Sequence, residues 1–291
     1  MTALLEEPIS TWYAEHRRDL PWRRPGVGAW PIMVSEFMLQ QTPVSRVIPA
    51  YEAWIERWPS PKALAAATPA DAVRQWDRLG YPRRALRLRE SAVIIAANHA
   101  GQVPRDLAAL RSLPGVGAYT AAAIAAFAYG QRHPVLDTNV RRVLSRLISG
   151  TQYPPGSLSV AEQALAESLL PPEHSRRAAT WSVALMELGA LICTSTRPSC
   201  GSCPVAASCA WLRAGRPPGQ PARRPQRYEG SDRQLRGQLL AVLRNAATPV
   251  PVSAFETVIP DERRRSRALA ALMTDGLVTR LPDGSIALPG D

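Results

Sequence analysis

The stretch Leu113-Pro114-Gly115-Val116-Gly117-Ala118-Tyr119-Thr120-Ala121 decides how the rest of this chain is read. It separates a segment of helical periodicity ending near Arg111 from an alanine-rich run that continues to Tyr129. The two glycines permit a tight turn and let an anion approach the backbone beside the N-terminus of the following helix. The amides of Gly115, Val116 and Gly117 are therefore candidate donors to a phosphate backbone, a grip that reads no base sequence. An ordinary helix–helix turn also accepts a bare Gly-x-Gly. The full Leu-Pro-Gly-Val-Gly string is far more specific.

Outward from that turn, residues Ile9 to Arg213 read as a succession of short amphipathic helices. Apolar residues recur at three and four, as in Ala50, Trp54 and Trp58, or Leu64, Ala72, Val73 and Trp76. Turn signals separate them at Arg24-Pro25-Gly26, Pro59-Ser60-Pro61, Gly80-Tyr81-Pro82 and Pro154-Pro155-Gly156. Strand alternation is nearly absent, so the body, residues 1–212, is expected to be all-α. The eight tryptophans fall mostly on apolar faces and read as core. Residues 213–227, with five arginines, no acid and Pro217, Pro218, Pro221 and Pro225, read as an extended basic linker. Residues 228–291 read as a small α+β module. Helices over Leu235–Arg244 and Arg264–Thr274 precede a hairpin, Leu277–Arg280 against Ser285–Leu288 around Pro282-Asp283-Gly284, in a winged-helix-like order.

The 291 residues carry a net charge of +11, and Lys62 is the only lysine among 35 basic residues. Residues 1–212 hold 22 basic and 16 acidic side chains, whereas 228–291 hold eight of each. The excess therefore lies in the body and linker, where it favours a polyanionic partner such as nucleic acid. A merely basic soluble enzyme would show the same balance. No run approaches the ~20 apolar residues of a membrane helix, and Glu6 and Glu7 leave no basic signal segment at the N-terminus. A soluble intracellular protein with no membrane partner is expected.

All four cysteines lie in one short segment, Cys193-x6-Cys200-x2-Cys203-x5-Cys209. Crowding of this kind points to a metal or cluster site rather than a disulfide framework. Four thiolates suit zinc or a 4Fe–4S cube; with only one C-x2-C pair, the spacing favours the cube, wrapped at the end of a helix over Thr180–Ile192.

Two carboxylates stand out. Glu36 lies in Pro31–Thr42, a hydrophobic helix in which its neighbours at three and four residues are Ile32, Met33, Leu39 and Gln40. Desolvation there should raise its pKa and suit it to general-acid work. Asp137, in Val135-Leu136-Asp137-Thr138-Asn139-Val140-Arg141, opens a helix. It reads either as an N-cap, the commoner role, or as a fixed carboxylate aimed at developing positive charge.

The Ser35-Glu36-x-Met38-Leu39-Gln40-Gln41-Thr42 helix, the Leu113–Gly117 turn, the Leu136-Asp137-x-Asn139-Val140 segment and the cysteine loop occur in that order. Together they resemble the adenine DNA glycosylase (MutY) branch of the helix-hairpin-helix endonuclease III superfamily, over about Arg18 to Cys209. The resemblance implies a two-lobed all-α fold with a 4Fe–4S loop at 193–209. It implies a monomer of the cytoplasm and nucleoid that excises adenine mispaired with 8-oxoguanine or guanine from double-stranded DNA. It assigns Glu36 to protonating the adenine and Asp137 to stabilising the oxocarbenium-like sugar, as one carboxylate does in glycoside hydrolysis. It places Asn139 and Tyr119 beside the acid and the sugar. Arg18, Leu20 and Arg23 would line the adenine pocket, and Gln41 and Tyr81 would wedge into the duplex around 8-oxoguanine, with Thr42 and Leu79 beside that base.

Two features depart from the family. The tail is too short for the family's usual C-terminal domain, which resembles nucleotide-sanitising hydrolases. Val183 stands where Gln or Glu is common near the adenine. A lyase activity requires a lysine amine; the family resemblance places that lysine where this chain has Tyr119, and Lys62 lies far from every motif. A monofunctional hydrolase is expected. The competing readings are a thymine or uracil mismatch glycosylase of the same superfamily and a non-catalytic iron–sulfur DNA-binding protein. Retention of both Glu36 and Asp137 argues against the latter.

Overall fold

The computed structural model describes residues 2–172, 177–220 and 228–291. In chain order the helices are α1 (Thr2–His16), α2 (Ala29–Leu39), α3 (Val44–Arg57), α4 (Pro61–Ala65), α5 (Pro69–Trp76) and α6 (Arg83–Asn98). Then follow α7 (Leu107–Ser112), α8 (Ala118–Tyr129), α9 (Thr138–Leu147), α10 (Val160–Ser168), α11 (Arg177–Leu191) and α12 (Ala210–Arg213). The tail holds α13 (Asp232–Asn245), α14 (Glu262–Thr274) and the strands β1 (Thr279–Arg280) and β2 (Ile286–Ala287).

α4 and α5 begin where the sequence supplies both a cap and a proline. Ser60 accepts from the Ala63 amide ahead of Pro61, and Thr68 and Asp71 close a reciprocal capping box around Pro69. Ser159 and Glu162 do the same for α10. α8 stops at Gly130, whose φ of 67° is the left-handed conformation that glycine adopts without cost.

The chain forms two compact units. The first comprises Met1–Pro25, Arg105–Leu107 and Gly117–Pro225. Its core joins Ile9 and Trp12 of α1, Val143 and Leu144 of α9, and Trp181, Leu185 and Leu188 of α11. The second comprises Gly26–Pro104, Ala108–Val116 and Gln226–Asp291. Met33, Val34, Phe37 and Met38 of α2 are wholly buried in it, as expected of a helix that is apolar all round. Trp54 meets Trp58 and Trp76 edge-on, with ring centroids 4.6 and 5.5 Å apart. All eight tryptophans are buried.

The tail has the expected order of helix, helix and hairpin. β1 and β2 pair antiparallel with Thr279 opposite Ala287, and Val250 adds a bridge to Ile286. The strands are shorter than the sequence suggests because Leu277 and Val278 turn into the core instead of extending the ladder. That core does not end at the tail: Leu239, Phe255, Leu269 and Leu272 share it with Ala70 and Val73 of α5. The Arg244 Nε donates to the Val73 carbonyl (3.1 Å), and Arg74 pairs with Asp291 (2.6 Å). Of the basic linker, residues 221–227 lie outside the described residues. Earlier in it, the Pro217 carbonyl accepts from Trp211 Nε1 (2.9 Å), and the Gly219 amide donates to Gln152 Oε1 (2.6 Å).

Candidate functional site

The second unit holds Glu36, Gln41, Thr42, Leu79 and Tyr81. Glu36 is 5% exposed on the buried α2, in the apolar surroundings that its sequence neighbours indicate. Where α2 ends, the chain turns sharply through Gln41, whose φ of 55° is left-handed; Tyr81, in the loop between α5 and α6, has a φ of 47°. Non-glycine residues seldom adopt this conformation, and the surroundings must hold it. Arg84 on α6 does so. Its Nη1 donates to the carbonyls of Phe37 (2.7 Å) and Gln40 (2.6 Å), and its Nη2 to Thr42 Oγ1 (3.0 Å) and the Gly80 carbonyl (3.0 Å). Thr42 Oγ1 in turn donates to the Leu79 carbonyl (3.2 Å). The two loops are thus pinned together, with Thr42 and Leu79 buried and Gln41 and Tyr81 exposed. Burial lowers the Arg84 pKa to about 10, so the guanidinium remains charged at neutral pH. Arg84 belongs to none of the sequence motifs. Its signal is positional: it falls on the buried stripe with Leu88, Ser91 and Ile95.

The predicted backbone donors flank a bend that only glycine suits. Gly115 has a φ of 80°, and a Cβ there would sit 2.8 Å from both the Phe37 ring and the Arg87 Cβ. Gly115 and Gly117 are exposed while Val116 between them is buried. Gly117 opens α8 with no side chain to cap its first turn. Tyr119, in that first turn, packs against Ala123, Ala126 and Val135.

In the first unit Asp137 is the N-cap of α9, so the commoner of its two readings holds as a structural fact. Its Oδ1 accepts from the Val140 amide (2.6 Å). Its Oδ2 is held separately, accepting from Asn139 Nδ2 (2.7 Å). Burial pushes the Asp137 carboxyl up, and these hydrogen bonds pull it back. A carboxylate short of water in this way gains more from a cation placed against it than a solvated cap does. Asn139 is itself oriented: its Oδ1 accepts from Arg142 Nη2 (2.8 Å), which also donates to the Gly189 carbonyl (2.7 Å), while Arg142 Nε donates to the Cys193 carbonyl (2.8 Å). Gly189 lets α11 come this close, since a Cβ there would lie 2.7 Å from the Asn139 Cβ.

Arg18 and Arg23 converge on Glu187 of α11, a residue outside every sequence motif. Arg18 grips it with Nε (2.7 Å), Nη2 (2.8 Å) and its amide (3.0 Å), and Arg23 adds Nη1 (2.7 Å). Burial alone would raise the Glu187 carboxyl; the two guanidiniums outweigh it and hold it at about 2. Leu20 is buried between these arginines in sequence, and Val183 packs against the core one helical turn before Glu187. An acid on the buried face of an apolar helix is the same signal that marked Glu36.

The cysteine loop follows α11. Cys193, Cys203 and Cys209 pack against the first unit's core. Arg146, stacked over Trp211 with its Cζ 4.8 Å from the ring centroid, donates to the Thr194 and Ser195 carbonyls (2.7 and 2.9 Å) and to Cys193 Sγ (3.5 Å). Burial, together with the charges of Cys193, Cys209 and Cys200, pushes the Cys203 thiol up to about 11. Four thiolates so placed repel one another and fit a cationic centre that neutralises them. Among the described residues no group of three or more His, Cys, Asp or Glu side chains is arranged to hold a single metal ion.

Residues 34–165 match the HhH-GPD superfamily of base excision DNA repair proteins. The chain is 55% identical over 284 residues to the adenine DNA glycosylase of Mycolicibacterium smegmatis, across 97% of this chain and 95% of that one. The chain belongs to the adenine DNA glycosylase family. The human member is 42% identical over 211 residues, 69% of this chain and 38% of that protein. Among solved structures, a thermostable thymine-DNA glycosylase superposes with a TM-score of 0.65 at 27% identity, over 73% of this chain and 97% of that one. An endonuclease III–DNA complex superposes with a TM-score of 0.62 at 20% identity, over 73% and 96%, a likeness of fold. This member of the family is thus a DNA glycosylase whose helical body is widely shared. The near-complete alignment with the mycolicibacterial relative takes in most of the tail as well. No helix among the described residues is long and apolar enough to cross a membrane.

Proposed function

We propose that this protein hydrolyses the N-glycosidic bond of adenine mispaired with 8-oxoguanine or guanine in double-stranded DNA. The observation that carries this reading is the near-full-length likeness to adenine DNA glycosylases. In it Glu36, shielded in α2, donates a proton to N7 of the extruded adenine and makes it a better leaving group. As the bond from the sugar to N9 breaks, positive charge grows on the sugar. The Asp137 carboxylate, oriented by the Val140 amide and Asn139, faces that charge. Adenine leaves neutral, and water then adds its hydroxyl to the sugar while its other proton returns to the Glu36 carboxylate. Arg18, Leu20 and Arg23 line the adenine pocket, with Glu187 holding both arginines in place. Gln41 and Tyr81 enter the duplex around the opposite base, beside Thr42 and Leu79. Gly115, Val116 and Gly117 hold the phosphate backbone.

The enzyme is monofunctional in this reading. Tyr119 has no amine for a Schiff base, and Lys62 lies with its stem against Gly101, where a Cβ would meet its Cε at 2.6 Å. Cys193, Cys200, Cys203 and Cys209 would hold a 4Fe–4S cluster, which would tie the loop after α11 rigidly and offset the charge of the thiolates. The protein works as a monomer in the cytoplasm, on the nucleoid.

The likeness to a thymine-DNA glycosylase favours a second reading, removal of thymine from mismatches. A panel of duplexes with A or T opposite 8-oxoguanine, G or C, scored for base release, separates the two. Adenine release opposite 8-oxoguanine and G is expected. Release of thymine alone refutes the proposal, and a strong borohydride-trapped adduct refutes its monofunctional part.

A further inference from the structure

The tail has no task in the reading above, yet one of its side chains reaches a residue that does. Arg233, exposed in the first turn of α13, donates through Nη1 to the Tyr81 hydroxyl oxygen at 2.7 Å. Its guanidinium carbon lies 5.7 Å from the centroid of the Tyr81 ring and 5.4 Å from that of Tyr228. Tyr81 is 41% exposed and left-handed at φ 47°, so neither burial nor backbone preference keeps its ring in place. Arg84 holds the backbone side of this loop through the Gly80 carbonyl. The Arg84 Cζ also lies 5.6 Å from the ring centroid, and Arg233 holds the hydroxyl. Beside them is a cleft of about 390 Å³, lined in part by Gln41, Tyr81, Arg83 and Arg87 and, from the tail, by Arg236 and Asp275. Asp275 pairs with both Arg83 (3.1 Å) and Arg236, fixing the tail against α6 at this point.

We propose that Arg233 is a positioning residue for opposite-base selectivity: acting through Tyr81, it makes the C-terminal module part of the apparatus that distinguishes 8-oxoguanine from guanine. The proposal rests on the reading of Tyr81 as a duplex wedge. Guanine and 8-oxoguanine differ only by an oxygen at C8 and a hydrogen at N7, so a reader must hold the base at a fixed distance. A tethered ring enters the duplex already ordered, whereas a free one samples several rotamers and blurs the difference.

The test is single-turnover excision by the full-length protein on A:8-oxoguanine and A:G duplexes at one salt concentration. The variants are Arg233→Ala, Arg233→Lys, Tyr81→Phe and the double variant Arg233→Ala/Tyr81→Phe. Arg233→Ala is expected to lower the ratio of the two rate constants about fivefold, the scale of one charge-assisted hydrogen bond at a partly exposed site. Arg233→Lys should recover part of the ratio, since it keeps the charge but not the planar face. The double variant should lose less than the product of the single losses, because both remove the same contact. An unchanged ratio in Arg233→Ala, with the wild type selective, overturns the proposal. So does a uniform loss on both duplexes with a salt slope lowered by about one, which marks Arg233 as a phosphate contact. A wild-type protein that releases no adenine from either duplex overturns the functional reading itself, and this inference with it.

Discussion

Replacing Glu187 by glutamine keeps the volume of a side chain that is wholly buried but removes the charge on which Arg18 and Arg23 converge. The carboxyl is held at about 2 against an ordinary 4.5. At about 1.4 kcal/mol per tenfold, that gap is worth about 3 kcal/mol of stability at neutral pH. The sign follows from the direction of the shift. A depressed folded pKa stabilises fully above the unfolded value near 4.5, and the contribution is lost as pH falls from there towards 2. The cost of Glu187→Gln should therefore shrink from about 3 kcal/mol at pH 7 to about 2 kcal/mol at pH 3.5. Urea unfolding of both proteins at the two pH values, followed by tryptophan fluorescence, measures it. A cost below about 1 kcal/mol at pH 7, or one that does not change with pH, refutes the reasoning; the first result would place the cluster among exposed ion pairs. Because the same contacts position Arg18 and Arg23, the variant should also release adenine more slowly at pH 7 while still folded.

Glu36→Gln should leave duplex binding intact and slow adenine release by ~10²–10⁴, the usual loss for a general acid; near-wild-type single-turnover rates would remove Glu36 from the chemistry. Asp137→Asn keeps the acceptor for the Val140 amide but sets an NH2 against Asn139 Nδ2, so it should cost about 1–2 kcal/mol of stability in a protein that still folds, while excision collapses. Turnover near normal would leave Asp137 as a cap alone. Gly189→Ala drives a methyl against Asn139 and should cost about 1–3 kcal/mol, lowering the thermal midpoint and the excision rate together; unchanged values would mean that α11 yields freely. Protein purified without air should be brown and carry about four irons per chain, and zinc without iron or sulfide on elemental analysis would rule out the cluster.

Much of the site was legible because its signals are local. Glu36 declared itself by apolar neighbours three and four residues away, and the structure buries it there. Asp137 read as a cap, and it is one. What the sequence did not disclose is that the same carboxylate is half-buried and gripped at its second oxygen by Asn139, so that cap and oriented carboxylate are one arrangement. Arg18 and Arg23 were marked for the adenine pocket. Their partner Glu187 lies more than 160 residues away, and no spacing along the chain points to it.

By itself the sequence determined the helices, their caps, the glycine bend at Gly115 and the crowding of four cysteines, because each depends on residues within a turn or two of one another. Tertiary structure alone decided which arginines turn inward. With 34 arginines along the chain, composition does not distinguish Arg84, which pins the loops of Gln41 and Tyr81, from Arg83 beside it, which pairs with Asp275. It does not mark Arg233 as the one that crosses from the tail to Tyr81, 152 residues away in sequence. A guanidinium stays buried only where several acceptors converge on it, as they do on Arg84, and those acceptors come from segments that meet only in the folded chain.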